Sequence, residues 1–193
     1  FLCVVAAMLD SSVKRRKEIE TLTSIPVYGE LPRKPRKLKN QEIVVNLEEP
    51  SELSECFPLL AERMVALSDG NEGNPLSVLI TSTCSGEGKT YLSVNLALSL
   101  AVAGKKVLLM DMDLRKGALS ALLGGAGKPG LGDLEQAGEG GWRSLVEQSP
   151  VSDHLDYLFA GTVPDHPSRL LLHDRIRKLM EEVKEQYDFI FMD

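Results

Sequence analysis

The sequence predicts an α/β fold in which a parallel sheet is flanked by helices. Three short apolar runs have the composition of buried parallel strands: Leu76–Ile80, Lys106–Asp111 and Asp188–Asp193. The first run leads into a glycine-containing turn, and then into a segment whose apolar residues recur at helical spacing until Gly104. Alternation of strands and helices is typical of βαβ units, whose strands are parallel.

The N-terminal residues Phe1–Leu9 are all apolar but too few to span a bilayer, which takes about 20 residues. The basic cluster Lys14–Lys17 follows, and such clusters mark the cytoplasmic side of a membrane segment. No basic region precedes the apolar residues, which argues against a signal peptide. We therefore expect residues 1–9 to be the C-terminal end of a transmembrane helix in a sequence that begins inside a longer apolar segment. A buried element of a soluble domain is the alternative.

Residues 10–50 are predicted to be a juxtamembrane segment and basic linker. A helix is expected over residues 11–24, a short strand over Val27–Leu31, and a proline-broken linker over Pro32–Asn40. The linker is either a solvated run of charge or is attracted to anionic lipid of the inner leaflet, at about 1 kcal/mol per basic residue near the surface.

The charge distribution and the cysteines indicate which partners and which cellular compartment to expect. Residues 11–39 carry nine Lys or Arg against three Glu, whereas the whole chain has a net charge of −6. A basic arm thus precedes an acidic domain, which argues against nucleic acid as the main partner. Cys3, Cys56 and Cys84 show neither metal-ligand spacing nor a disulfide framework, so a reducing cytosol is expected.

Residues 51–193 are predicted to form the main domain. Its first helix should start near Ser51, and Pro58 should kink or restart that helix. The glycine-rich residues 115–141 should hold short helical pieces. After residue 141 we expect a short helix at Trp142–Gln148, a strand at Leu155–Ala160, and a helix at Arg169–Gln186 capped by Ser168.

The turn after the first strand has the residues of a phosphate-binding P-loop. Gly86 and Gly88 allow backbone N–H groups to point at phosphate oxygens, Lys89 supplies a point charge, and the Thr90 hydroxyl suits Mg²⁺. The usual motif begins with glycine where this chain has Thr83, so a structural glycine turn is the alternative for this segment alone. The flanking strand and helix favour nucleotide binding.

Acidic residues end the other two strands. Asp111 and Asp113 follow the second strand, 22 residues after Lys89, and a right-handed crossover brings them beside the P-loop. Asp193 ends the last strand, as in a Walker B motif, whose carboxylate orders Mg²⁺. Carboxylates at this edge suit metal binding or general-base chemistry, and an acidic loop that caps the next helix is the alternative for Asp111 and Asp113.

These motifs together resemble those of the bacterial tyrosine kinases (BY-kinases) of capsular and exopolysaccharide synthesis. The membrane form of that family joins a Wzz-type chain-length-determinant domain, through two membrane helices, to a cytoplasmic kinase domain. The similarity runs over nearly the whole chain. Its motifs are the juxtamembrane "PVxGxIP" at Pro26–Pro32, Walker A at Ser82–Thr90, Walker A′ at Leu109–Arg115, "GxxPxxPxxLL" at Gly161–Leu171 and Walker B at Phe189–Asp193.

The resemblance implies an α/β P-loop NTPase fold and a protein-tyrosine autokinase that uses ATP and Mg²⁺. Its implied catalytic residues are Lys89, Asp111, Asp113 and Arg115, with Asp111 favoured as the group that accepts the tyrosine proton. The implied nucleotide-binding residues are Ser85, Gly86, Glu87, Gly88, Lys89, Thr90 and Tyr91. The implied metal ligands are Thr90, Asp111 and, through water, Asp193.

The resemblance also implies partners and a location. The chain would form a homo-oligomer that phosphorylates itself in trans at the bacterial inner membrane, with this segment on the cytoplasmic side. It would act with the polysaccharide export machinery and a protein-tyrosine phosphatase, and not with nucleic acid. Tyr28, Tyr91, Tyr157 and Tyr187 are scattered, unlike the family's C-terminal tyrosine cluster, and we expect them to be structural.

One departure from the family keeps alternatives open. The family's subunit-contact motif, Glu-x-x-Arg-x-x-Arg, aligns with Glu55, Pro58 and Ala61, which puts ring assembly through this helix in doubt. Partition ATPases carry a signature lysine where this chain has Cys84, and its absence favours the kinase branch. The alternatives are a partition-type ATPase switch and a non-catalytic regulator of polysaccharide chain length.

Overall fold

The structure is a computed structural model that describes residues 16–38, 40–45, 51–70, 74–138 and 140–193. The chain divides into two compact units, with the boundary between Arg33 and Lys34. The apolar segment Phe1–Leu9 lies outside the described residues, so the membrane helix there stays a prediction. Among the described residues, no helix has the length and apolar character needed to cross a membrane.

The first unit contains one described helix, α1 (Arg16–Thr23), in which Arg16 Nε donates to Glu20 Oε1 over 2.7 Å. The predicted strand at Val27–Leu31 is wrong, because residues 24–33 have no regular secondary structure. Strands need a neighbour for their backbone N–H and C=O groups, and the pattern of alternating residues alone does not provide one.

The second unit is built on a five-stranded sheet with helices packed against it. Its strands are β1 (Leu76–Leu79), β2 (Val107–Met110), β3 (Val146–Gln148), β4 (Leu155–Leu158) and β5 (Phe189–Met192). Its α-helices are α2 (Glu52–Asp69), α3 (Lys89–Val102), α4 (Ala118–Leu122), α5 (Leu134–Ala137), α6 (Pro167–Leu171) and α7 (Asp174–Val183). Single 3₁₀ turns lie at Arg36–Leu38, Leu131–Asp133 and Gly141–Leu145.

The strand order is β1-β5-β2-β4-β3, in which the first four strands are parallel and β3 is antiparallel to β4. Leu79 pairs with Met192, which pairs with Met110. The carboxyl ends of β1, β5 and β2 therefore lie at the same level of the sheet. The α/β fold with a mostly parallel sheet is confirmed, and its three predicted strands end where the candidate site residues begin.

Helix α3 is the centre of the second unit. All residues from Ser93 to Ala101 are buried, because the sheet covers one side of the helix and α2 covers another. Strand β2 is buried along its whole length, from Val107 to Met110. A strand and a helix enclosed in this way hold fixed positions, and both lead directly into the candidate site.

Helix α2 begins as predicted. Ser51 is the N-cap: its Oγ accepts from Ser54 N over 3.2 Å, and Ser54 Oγ accepts from Ser51 N over 2.7 Å, which makes a capping box. The expected restart at Pro58 is wrong, since the helix continues through this residue to Asp69. Phe57 and Ala61, on either side of it, are buried and hold the helix against the core.

Two predictions in the C-terminal half are also wrong. The single helix at Arg169–Gln186 is two helices, α6 and α7. Ser168 is not the cap, because α6 begins at Pro167 with His166 as its N-cap. The cap of α7 is His173, whose Nδ1 accepts from Arg175 N over 3.2 Å. The expected helix at Trp142–Gln148 is a 3₁₀ turn followed by β3. Pairing with the edge of β4 overrides the local helical pattern there.

Candidate nucleotide-binding site

The P-loop connects β1 to α3 through two glycines in the left-handed region. Gly86 has φ +85° and Gly88, the N-cap of α3, has φ +92°. Apart from the glycine and its chain neighbours, no described atom lies within 4 Å of where a Cβ would stand at either position, so the backbone angle is what calls for glycine here. The exposed loop thus presents backbone groups at the N-terminus of a 14-residue helix, where anions bind favourably.

Two charged side chains, Lys89 and Glu87, hold this loop in place through hydrogen bonds. Lys89 Nζ donates to Ser82 Oγ over 2.8 Å, which holds the ammonium group at the loop. The Glu87 carboxylate accepts from Cys84 N over 3.0 Å and from Thr83 Oγ1 over 3.2 Å. The hydrogen bond from Cys84 N lowers the pKa of Glu87. Glu87 therefore closes the turn, while Ser85 at its tip is exposed.

The first turn of α3 is joined to the end of β5. Thr90 Oγ1 donates to Asp193 Oδ2 over 2.7 Å, and Ser93 Oγ donates to Asp193 Oδ1 over 2.6 Å. Sequence analysis did not identify Ser93, although it lies three residues after Thr90 and so on the same helix face. The hydroxyl and carboxylate oxygens at this end are the donors that Mg²⁺ prefers.

Asp111 lies under the same edge of the sheet and is almost fully buried. Its Oδ2 accepts from Ser120 N over 2.8 Å and from Ser120 Oγ over 2.6 Å, and its Oδ1 accepts from Asp113 N over 3.1 Å. Burial raises the pKa of Asp111; the hydrogen bonds from Ser120 and Asp113 oppose that rise, and the nearby Asp193 charge adds to it. Ser120, which the sequence analysis did not identify, therefore holds the Asp111 carboxylate beside Asp193.

Asp113 and Arg115 are exposed on the loop that follows β2. Asp113 Oδ1 accepts from Arg115 N over 3.3 Å and from Lys116 N over 3.1 Å, so this carboxylate stabilises the turn. Direct contacts thus support the capping alternative for both carboxylates, since Asp111 Oδ2 also accepts from Ser120 N in the first turn of α4.

Tyr91 points away from the loop, although it follows Thr90 directly. Its ring packs edge-to-face on Phe57 at 5.8 Å, and Lys34 Nζ lies 4.5 Å from the ring centroid. Burial raises the pKa of Tyr91 to about 12, and the Glu42 charge contributes to the rise. A contribution of Tyr91 to nucleotide binding would therefore come from its backbone.

Two other tyrosines have structural contacts, as expected. The Tyr157 hydroxyl is hydrogen-bonded to Ser149 Oγ over 2.7 Å, and the Tyr187 hydroxyl donates to Asp156 Oδ2 over 2.8 Å. Burial raises the pKa of both. Both hydroxyl groups are therefore engaged in hydrogen bonds within the domain.

Hydrogen bonds join the loop at residues 130–133 to the backbone that follows β4, and this contact was not identified from the sequence. Leu131 N and Gly132 N donate to the carbonyls of Phe159 and Ala160 over 2.7 and 2.8 Å. Asp133 Oδ2 accepts from Gly130 N and, over 3.1 Å, from Thr162 N. These contacts fix the backbone that follows β4. Ala160 N in turn donates to Ser120 Oγ over 2.8 Å, which extends the support of Asp111.

In the described part of the chain, no group of three or more His, Cys, Asp or Glu side chains forms a metal site by itself. The donors present at the strand ends suit a cation that is shared with phosphate oxygens, since Mg²⁺ is commonly bound by one or two carboxylates together with substrate phosphates.

Comparison with known proteins agrees with this geometry. Residues 78–192 match the CobQ/CobB/MinD/ParA nucleotide binding domain. The tyrosine-protein kinase YwqD of Bacillus subtilis is 33% identical over 165 residues, which cover 83% of this chain and 67% of YwqD. EpsB of Ralstonia nicotianae is 42% identical over 123 residues, which cover 64% of this chain. The chain spans only 16% of the length of EpsB.

Solved structures give the same result. The BceF tyrosine kinase domain superposes with a TM-score of 0.78 at 29% identity, covering 95% of this chain and 76% of that domain. The family assignment therefore rests on both sequence and fold. The chain belongs to the CobQ/CobB/MinD/ParA nucleotide-binding family and, within it, to the bacterial tyrosine kinases.

Proposed function

We propose that the protein is a tyrosine autokinase that transfers the γ-phosphoryl group of ATP to tyrosine side chains and thereby regulates polymerisation or export of a capsular or exopolysaccharide. The joining of Thr90 at the P-loop to Asp193 at the end of β5 is the observation that carries the proposal. The names of the relatives support the choice of tyrosine as acceptor.

The nucleotide would lie along the loop from Ser85 to Thr90, with its phosphates at the N-terminus of α3 and beside Lys89. Thr90 and, through a water molecule, Asp193 would hold Mg²⁺, with Asp111 as a further candidate ligand. When bound, Mg²⁺ neutralises negative charge on the β- and γ-phosphates. Ser93 orients Asp193, since its hydroxyl donates to the other carboxylate oxygen.

In the transfer step, the tyrosine oxygen bonds to the γ-phosphorus as the bond to the β–γ bridging oxygen breaks, and ADP leaves. Asp111 accepts the tyrosine proton. Its Oδ1 accepts only one hydrogen bond among the described contacts, from Asp113 N, and so retains a lone pair. Because free tyrosine has a pKa of about 10, the base acts late, as the loose transition state develops. Arg115, on the exposed loop, would stabilise charge or position that loop.

The domain organisation is part of the proposal. Residues 1–9 would end a transmembrane helix, residues 10–50 would be the juxtamembrane segment and linker, and residues 51–193 would belong to the kinase domain. The proposed location is the inner membrane of a bacterium, with this segment cytoplasmic. The proposed partners are further copies of the chain, the export machinery and a protein-tyrosine phosphatase.

The altered subunit-contact motif favours one of the alternatives, a scaffold that regulates chain length without phosphorylation. Ala61, which aligns with a family arginine, is buried against the core, while Glu55 and Pro58 are exposed. These three positions therefore lack the basic pair that the family uses between subunits, and Arg63, on the same helix, is the candidate to substitute for it.

The test is to incubate the full-length protein in membranes with ATP and Mg²⁺ and to probe for phosphotyrosine. Lys89→Met should abolish the signal, because it removes the charge beside the phosphates. Lys128→Met is the matched control and should leave the signal intact, since Lys128 pairs with Glu147 of β3, the edge strand on the opposite side of the sheet from β1. Phosphate release without phosphotyrosine would favour the ATPase alternative, and full activity of Lys89→Met would refute the mechanism.

A further inference from the structure

The basic linker is attached to the helix that starts at the P-loop. The segment described at residues 34–38 and 40–45, here termed the linker strap, belongs to the same compact unit as the sheet. Its contacts are made with Tyr91 and Asn95, in the first two turns of α3. Nothing in the P-loop motif calls for a polar side chain at position 95, yet Asn95 has no solvent exposure.

The Asn95 side chain makes three hydrogen bonds, two of them to the strap backbone. Its Oδ1 accepts from Val44 N over 2.7 Å, and its Nδ2 donates to the Glu42 carbonyl over 2.7 Å. The second Nδ2 hydrogen goes to the Tyr91 carbonyl over 2.8 Å, one turn earlier in α3. One buried amide thus bridges the strap backbone and the helix backbone immediately after Thr90.

Lys34 makes a second attachment at the other end of the strap. Its ammonium lies over the Tyr91 ring and 3.6 Å from a carboxylate oxygen of Glu42. The Tyr91 hydroxyl has no hydrogen-bond partner among the described residues although its oxygen is buried, so the ring is held in this place by packing and by the Lys34 charge. Both attachments converge on Tyr91, the residue next to the Thr90 hydroxyl.

We propose that Asn95 is a positioning residue that couples the linker strap to the P-loop helix, so that strap ordering and nucleotide binding strengthen each other. The inference rests on the proposed nucleotide site and deepens it by assigning its regulation. Coupling between two binding events is reciprocal. Anything that releases the strap should therefore weaken nucleotide binding, and nucleotide should in turn protect the strap.

Hydrogen exchange of the full-length protein measures whether bound nucleotide protects the strap. A non-hydrolysable ATP analogue with Mg²⁺ should slow exchange of the Val44 amide, which donates to Asn95, in the wild-type protein. The Gln41 amide is the internal comparison, because it donates to the Leu38 carbonyl within the strap and does not contact Asn95. Equal Val44 exchange with and without bound analogue would refute the coupling.

Two variants test whether release of the strap weakens binding of the analogue. Asn95→Leu keeps the branching and the number of side-chain heavy atoms but removes all three hydrogen bonds, and should weaken binding by about five- to tenfold and abolish Val44 protection. Lys34→Met keeps the aliphatic stem and leaves the core unchanged, so it should fold, and should weaken binding by about two- to fivefold. A true positioning role should change KM for ATP more than kcat in both variants.

Lys128→Met is the matched control, because Lys128 also pairs with a glutamate and lies over an aromatic ring, that of Phe159, away from the strap. It should bind the analogue like the wild type. Wild-type affinity in Lys34→Met together with unchanged Val44 exchange would refute the inference alone. Failure of the wild-type protein to bind the analogue would refute the proposed function, and the inference with it.

Discussion

Ser93→Ala tests whether the contact between α3 and the end of β5 holds the site together. The serine is fully buried, and its hydroxyl donates to a carboxylate oxygen of Asp193 over 2.6 Å. A hydrogen bond to a charged group contributes about 1.5–3 kcal/mol to stability. In a chain of this size, that loss should lower the melting temperature by roughly 3–12 °C.

The assay compares the unfolding of Ser93→Ala, by urea or by heat, with that of a control variant on the same helix. Ser99 is buried as well, but its hydroxyl has no hydrogen-bond partner in the structure as described. Ser99→Ala makes the same chemical change without removing a hydrogen bond, so it should be neutral or stabilising.

Both variants change a buried serine of α3 to alanine, so the difference between them measures the hydrogen bonds of the Ser93 hydroxyl, to Asp193 and, over 3.0 Å, to the Lys89 carbonyl. Equal destabilisation by the two would show that loss of a buried hydroxyl, and not the bond to Asp193, sets the cost. Destabilisation of Ser93→Ala by less than about 0.5 kcal/mol, the usual range of a neutral surface change, would refute the assigned role of Ser93.

Two further predictions concern the loops. Gly88→Ala should cost roughly 1–2 kcal/mol, since φ at this position is +92°, and should weaken binding of an ATP analogue in a titration; unchanged affinity would contradict the required backbone angle. For Asp133, burial acts to raise the pKa, but hydrogen bonds from Thr162 and Gly130 outweigh it and lower the pKa below the usual 3.8. Its contribution to stability should be complete above that value and be lost as pH falls through the lowered pKa, so the difference in unfolding free energy between wild type and Asp133→Asn should shrink in acid. A pH-independent difference would contradict this assignment.

The strands and the P-loop were predictable because each is specified by a local pattern. Short apolar runs such as Lys106–Asp111 identify buried parallel strands, and the crossover rule places their acidic ends beside Lys89. Asp193 could be assigned to the same site from its Walker B pattern, and the structure joins it to Thr90 by a hydrogen bond.

The features that sequence analysis missed depend on contacts between distant residues. Ser120 is one of many serines, and only the fold shows that it donates to Asp111 and accepts from Ala160. Strand β3 forms because the edge of β4 is available to pair with it. The attachment of the linker to Asn95 was equally invisible, since the residues that share those hydrogen bonds are about fifty positions apart.

The bond between Thr90 and Asp193 has a consequence for synthesis of the protein. The ribosome makes the P-loop 103 residues before the carboxylate that it contacts, which at about 5–20 residues per second takes roughly 5–20 s. During this interval the P-loop sequence exists without its β5 neighbour, so nucleotide cannot stabilise the nascent chain through the complete site. Occupancy by ATP can thus protect only those molecules in which translation has passed β5.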